Sequence, residues 1–190
     1  MTPYDALRAR LTMAKVSAPK PEIMETSVAV LLSTGAHGLE VLLIRRAERA
    51  GDPWSGHIGL PGGRRDPGDA DLLETSIRET REEIGVSLPP AVLLGTLDDL
   101  EPSSASLPKL MIRPFVFAVD PRPETGTSAE VVSSYWIPLE SLHAARGLSK
   151  VTLHDKSLEV PCFLVPGLPE GLVVWGLTYR ILNGLLPLLG

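Results

Sequence analysis

Three carboxylates, Glu79, Glu82 and Glu83, stand together in Arg78-Glu79-Thr80-Arg81-Glu82-Glu83-Ile84-Gly85-Val86. On an α-helix each residue advances about 100°, so the three fall within an arc of roughly 100° on one face. Like charges at this spacing oppose helix formation by about a few tenths of a kcal/mol per pair. A divalent cation turns that repulsion into attraction, and ligands made only of oxygen suit Mg²⁺, Mn²⁺ or Ca²⁺. Glu74 with Arg78, and Arg78 with Glu82, are also i,i+4 pairs, which by themselves describe an ordinary solvated helix face. The turn Leu60-Pro61-Gly62-Gly63 upstream favours the metal. Adjacent glycines let the backbone approach a ligand, so a Gly63 carbonyl could complete a shell formed by Glu79, Glu82 and Glu83.

The elements that must hold these groups are legible in the pattern. Asp69 or Asp71 can cap the carboxylate helix, which is expected to run to about Ile84 and to end at Gly85. Upstream, Thr26 to Ser33 and Leu39 to Arg45 read as strands around a turn at Gly35-Ala36-His37-Gly38. Downstream, strands are expected at Ala91 to Leu97, Leu110 to Val119, Tyr135 to Ile137, Val151 to Leu153 and Leu158 to Val165. Short helical character is expected at Pro138 to Ala145, and Val174 to Leu186 is the closing helix. About the first fifteen residues look helical, with a Pro-containing break at Ser17 to Pro21. Helices and strands mix without βαβ alternation, which predicts an α/β (α+β) fold with a mixed β-sheet between helices.

The 190 residues suit one domain, 1–190, with residues 1–20 as a helical extension. The net charge of −5 and the lack of a Lys/Arg-rich run argue against a nucleic-acid polymer as partner, while a small phosphorylated ligand still fits. Cys162 is the only cysteine, so no intramolecular disulfide forms, and its apolar run reads as an inert buried thiol. The N-terminal segment lacks the apolar core of a secretory signal. Arg180, Asn183 and Pro187 interrupt the apolar C-terminal run, which is read as a packed helix and not a membrane span. A cytoplasmic protein is expected, and its terminal segments make a homodimer an expectation too.

Gly63 to Val86 resembles the Nudix box, the signature of hydrolases that cleave nucleoside diphosphates linked to another moiety. The Arg78-Glu79 and Glu82-Glu83-Ile84-Gly85-Val86 portions match that signature in spacing. Asp69 stands where the signature has Glu, one extra residue separates it from Arg78, and Thr80 replaces a usual aliphatic. The resemblance implies a Nudix-type α/β/α sandwich and a Mg²⁺ or Mn²⁺ cofactor on Glu79, Glu82, Glu83 and Gly63. It also implies catalytic work by Glu82 and Glu83, with Arg78 orienting the glutamates by ion pairing. A general base often comes from a loop outside the box. Glu130, in Thr127-Ser128-Ala129-Glu130-Val131, is the candidate, against a plain exposed loop glutamate.

Three segments are similar to the coenzyme A pyrophosphatase branch of that family: Leu42 to Arg46 with Leu60 to Gly63, Gly62 to Asp69, and Val174 to Leu182. That similarity implies coenzyme A or an acyl derivative as substrate. ADP-ribose, a nucleotide sugar or a nucleoside triphosphate is the alternative, and a non-catalytic nucleotide-binding module is a third. An arginine of the branch pattern is absent, with Gly51 in its place. Arg45, Arg46, Arg49, Arg64 and Arg65 are phosphate-binding candidates, because a guanidinium pairs well with phosphate oxygens. Trp54 and His57 are candidates for stacking or phosphate contact, whereas Trp136 and Trp175 are expected in the core. His37, His143 and His154 are isolated and suggest no transition-metal site.

Overall fold

The computed structural model describes residues 2–13, 22–51, 54–102, 109–153 and 156–189. Strand β1 (Met24–Gly35) and strand β2 (Gly38–Arg46) form an antiparallel hairpin, closing where Gly35 pairs with Gly38. Two short strands follow, β3 (Ile58–Gly59) on β2 and β4 (Gly62–Arg64) on β1. Helix α2 (Leu72–Ile84) carries the three glutamates; a six-residue helix, α1 (Pro3–Arg8), precedes the sheet. Strand β5 (Leu93–Thr96) pairs antiparallel with β6 (Leu110–Ala118), and β6 lies parallel to β1 from Met24 opposite Leu110 to Leu32 opposite Ala118. Strand β7 (Val131–Pro138) adds to β2, then helix α3 (Leu139–Ala144) follows.

Among the described residues, these seven strands form one mixed sheet, in the order β3-β2-β1-β6-β5 with β4 on β1 and β7 on β2. Strands β8 (Arg146–Leu153), β9 (Lys156–Phe163) and β10 (Val174–Trp175) make a second, antiparallel sheet. Helix α4 (Gly176–Leu185) closes the fold.

Alternation along β1 divides the core into two layers, because successive strand residues point to opposite faces. Ala29 and Leu31 face α2 and pack with Leu72, Ile84, Phe115 and Phe117. Val30 and Leu32 face the other way, with Ile181, Leu182 and Leu185 of α4, Phe163 of β9 and Leu7 of α1. The sheet therefore lies between helices, as the mixed pattern predicts.

Two expectations need correction. The N-terminal helix stops at Arg8, well short of fifteen residues. Leu7 and Leu11 anchor in the core, and Thr12 exchanges backbone hydrogen bonds with Thr96 at 3.2 and 2.8 Å, a bridge a continued helix would forbid. The break at Ser17 to Pro21 lies outside the described residues, as does His154. The closing helix begins two residues later than predicted, since Val174 and Trp175 pair with Phe163 and Cys162 of β9. Among the described residues no helix is long and apolar enough to cross a membrane. The apolar faces of α1 and α4 are taken up by the chain's own core, and Cys162 is fully buried there.

Candidate active site

Helix α2 is delimited by local chemistry. Asp71 caps it, its side chain accepting from the Glu74 amide at 2.9 Å, and Gly85 stops it in the left-handed conformation at φ 74°. Leu72 and Ile84 anchor the helix in the core, leaving Arg78, Glu79 and Glu82 on the side that meets β4. Glu74 does not reach Arg78; it turns back to accept from the Ala70 amide at 2.6 Å.

The Pro-Gly-Gly turn sits against that face. Gly62 has φ 153°, and a Cβ there would overlap the Ser27 carbonyl and the Val28 backbone. A Cβ at Gly63 would overlap the Glu79 carboxylate. Gly62 is therefore required by space, whereas a side chain at Gly63 would displace the Glu79 carboxylate, and the two elements touch through these glycines. The Gly62 amide donates to Glu83 Oε2 at 2.9 Å.

Arg78 organises the remaining carboxylates. Its Nη1 donates to Glu79 Oε1 at 2.9 Å and to Glu82 Oε2 at 3.1 Å. Its Nε and Nη2 donate to the two oxygens of Asp69 at 3.0 and 2.9 Å, and Nη2 also reaches the Arg64 carbonyl at 3.1 Å. Asp69 is further held by the Asp66 amide and the Thr75 hydroxyl, at 3.0 and 2.9 Å. Arg78 hydrogen bonds, aided by those donors, hold the Asp69 carboxyl down at about 2 against the opposing effect of burial. The same pairing raises Arg78, so it stays a fixed cation.

Glu83 is only 3% exposed, and burial pushes its carboxyl up to about 7, opposed by the Gly62 amide and by the charge of Arg46. Glu79 is also raised, first by burial. Glu82 keeps 54% of its side-chain surface in water. These groups border a cavity of about 830 Å³, within the range of small-molecule sites.

Among the described residues, no three acidic, histidine or cysteine side chains already stand as a closed metal cage. The donor set nevertheless fits a hard cation. Arg78 occupies one oxygen of Glu79 and one of Glu82, and Gly62 one of Glu83, which leaves a second oxygen on each. A desolvated Glu83 beside Glu79 and Glu130 is a concentration of negative charge that a cation relieves.

Four further candidates border the same cavity: Arg46, Arg64, Trp54 and His57. Glu130 borders it as well, its carboxylate 3.3 Å from Arg49 Nη1, while its backbone carbonyl accepts from the Ala47 amide at 2.7 Å. Arg45 does not line the cavity; its guanidinium lies 3.6 Å from Glu48. Arg65 pairs with the buried Glu25 at 3.1 Å, on the α2 side of β1.

A model of the NUDIX domain family matches residues 24–155. The Nudix hydrolase NudL of Yersinia pestis, itself uncharacterized, is 32% identical over 149 residues, covering 76% of this chain and 70% of that protein. This chain belongs to the Nudix hydrolase family. An uncharacterized protein of Schizosaccharomyces pombe is 40% identical over 107 residues, 54% of this chain, and the match spans about a third (32%) of that protein's length. A MutT/nudix family protein from Enterococcus faecalis shares the fold, with a TM-score of 0.58 at 19% identity over 90% of this chain and 63% of that one. The NUDIX domain of Shewanella oneidensis NrtR, solved with ADP ribose, has a TM-score of 0.54 at 25% identity, covering 66% of this chain and 82% of that one.

Within the Nudix box, the structure gives Asp69 a role despite the extra residue before Arg78. The loop from Asp66 folds so that its carboxylate still grips the guanidinium. Trp175 corrects the sequence reading. Val174 takes the core position, so Trp175, on the opposite face of the strand, turns to the cavity wall. Trp136 is half-buried, against the α2-side core and under the Arg122 guanidinium. Met24, Thr26, Leu110 and Ile112 of the paired strands β1 and β6 also line the cavity, and strand residues of this kind carry no sign in the sequence of whether a helix will cover them.

Proposed function

We propose that this Nudix protein hydrolyses the diphosphate linkage of a nucleoside diphosphate derivative, using Mg²⁺ or Mn²⁺. The observation that carries the reading is that Glu79 and Glu83 meet the Gly62-Gly63 turn and Glu82 borders the same cavity, which Arg46 and Arg64 also line. Glu79, Glu82, Glu83 and the Gly63 carbonyl would hold the cation. When bound, it neutralises phosphate oxygens and acidifies water.

The chain's own residues perform the rest. Arg46 and Arg64 bind diphosphate oxygens, and Arg78, fully engaged by carboxylates, orients Glu79 and Glu82 rather than touching substrate. Glu130 takes a proton from the attacking water as its oxygen bonds to phosphorus. The bridging P–O bond breaks, and its electron pair leaves with the second phosphate.

The substrate we favour is coenzyme A or an acyl derivative, yielding adenosine 3′,5′-bisphosphate and 4′-phosphopantetheine or its acyl form. The similarity of Leu42 to Arg46, Gly62 to Asp69 and Val174 to Leu182 to the coenzyme A pyrophosphatase branch supports it. ADP-ribose is the second reading, supported by the NrtR domain solved with that ligand. Incubation with Mg²⁺ or Mn²⁺ and a panel of coenzyme A, dephospho-coenzyme A, ADP-ribose and nucleoside triphosphates tests both. Preference for coenzyme A supports the first, preference for ADP-ribose replaces it, and binding without turnover sinks hydrolysis itself. A cytoplasmic location belongs to this reading. So does a homodimer, which light scattering tests.

A further inference from the structure

The backbone of Glu130 is tightly held. Its carbonyl accepts from the Ala47 amide at 2.7 Å, beside the rung that pairs Arg46 with Val131 across β2 and β7. The Ser128 hydroxyl accepts from the amides of Glu130 and Val131 at 3.1 and 3.2 Å, and the Ser128 amide donates to the Val131 carbonyl at 3.0 Å. None of these bonds reaches the Glu130 carboxylate, which rotatable side-chain bonds carry through an arc at the cavity edge. Electrostatics drive it outward along that arc. Burial is the main cause that raises Glu79 and Glu83, and the charge of Glu130 adds to it. That repulsion is mutual, so the same two carboxylates push on Glu130.

Arg49 supplies an opposing attraction. Its Nη1 lies 3.3 Å from Glu130 Oε1, and its Nη2 donates to the Ala129 carbonyl at 3.4 Å, so the guanidinium is anchored on the backbone of the loop it pairs with. Arg49 does not line the cavity, whereas Glu130 does, so its route to the chemistry runs through that carboxylate. The two side chains keep 47% and 48% of their surface in water, and a pair so exposed contributes little to stability. What it fixes is the place of the carboxylate.

We propose that Arg49 is a positioning residue that holds the Glu130 carboxylate at the cavity edge, where it meets the attacking water. The inference rests on the proposed role of Glu130 as the base. A guanidinium suits the task, because it stays a cation and has no acceptor, so it orients the base without competing for the proton. Its closest approach is to Oε1, and Oε2 is the oxygen that takes the proton. Phosphate binding, the role its residue type suggests, is left to the arginines that border the cavity.

The test is steady-state kinetics of the full chain with Mg²⁺, on coenzyme A and on ADP-ribose. Arg49→Ala should lower kcat about fivefold or more and leave KM and Tm unchanged, because a misplaced base costs turnover and not binding. Arg49→Lys should recover most of kcat, since it keeps the charge at a single contact. Arg49→Ala combined with Glu130→Gln should be no slower than Glu130→Gln alone, because an effect exerted through Glu130 disappears with it. A raised KM with kcat kept would make Arg49 a phosphate ligand, and a further fall in the double variant would make it independent of Glu130. Either result overturns the proposal, as does an unchanged kcat. A normal kcat in Glu130→Gln removes the base and this inference with it, whereas a slow Glu130→Gln beside a normal Arg49→Ala removes the inference alone. Crystal structures of metal-free wild type and Arg49→Ala carry the test even without turnover. The Glu130 carboxylate should leave its place while the backbone bond to Ala47 persists, and an unmoved carboxylate overturns the proposal.

Discussion

Glu83 combines two properties that pull against each other: a carboxylate at the chemical centre and near-complete burial. With its folded-state value raised to about 7, it is protonated in both folded and unfolded chains below about pH 4. As pH rises from about 4 to about 8 the unfolded chain ionises first, so stability falls, by about 3 kcal/mol once both states are ionised. Urea unfolding in EDTA should show this decline, and Glu83→Gln should flatten most of it. Asp69, and Asp120, which against the opposing effect of burial is held down by hydrogen bonds from Ser33, Tyr4 and Thr34, both lie at about 2 and act oppositely, losing stabilisation only as pH falls below about 4, so they do not confuse that window. Glu83→Gln should also abolish metal-dependent turnover with the fold retained; retained activity would remove it from the site. For Glu130→Gln, kcat should fall at least tenfold with metal affinity changing less, measured by kinetics at varied Mg²⁺. A near-normal kcat would leave Glu130 as an ordinary partner of Arg49. The glutamates and Arg78 are legible in the sequence because their spacing on a helix is local. Asp69 is not, because its grip on Arg78 depends on how the Asp66 to Ala70 loop folds.

At the scale of elements, the site is the contact between α2 and β4, and the two glycines there fail in different ways when replaced. Gly62→Ala places a methyl against fixed backbone of β1 at a φ that other residues rarely adopt, so it should cost about 3 kcal/mol or more of stability. Gly63→Ala meets only the end of the flexible Glu79 side chain, which can swing aside at little cost. It should leave thermal stability nearly intact while displacing Glu79, lowering metal-dependent activity at least tenfold. Melting curves and kinetics of the two variants check the contrast. Strand and helix positions follow from alternation and caps, and most were foreseen. The N-terminal helix was overestimated because its continuation is decided by pairing of Thr12 with Thr96, far away in sequence. Trp175 leaves the core expected for it because a two-residue strand, β10, decides which side of it is inward.

For the whole molecule, the acidic cluster is an internal repulsion held by the rest of the fold, so a cation that binds only the folded state should stabilise it. At about one hundred times its dissociation constant, Mg²⁺ should add about 2.7 kcal/mol, seen as a raised Tm that Glu83→Gln largely removes. An equal shift in that variant would place the cation elsewhere. By itself the sequence determined the carboxylate helix, its glycine turn, the mixing of strands and helices along the chain and the family, because these are carried by short-range spacing that no distant contact alters. Tertiary structure alone decided how deeply Glu83 is desolvated, that Arg45 lies outside the cavity while Arg46 borders it, and that Trp175 meets Trp54 and His57 on one wall. Those features depend on burial, and on segments far apart in the chain meeting in space, which residue spacing does not encode.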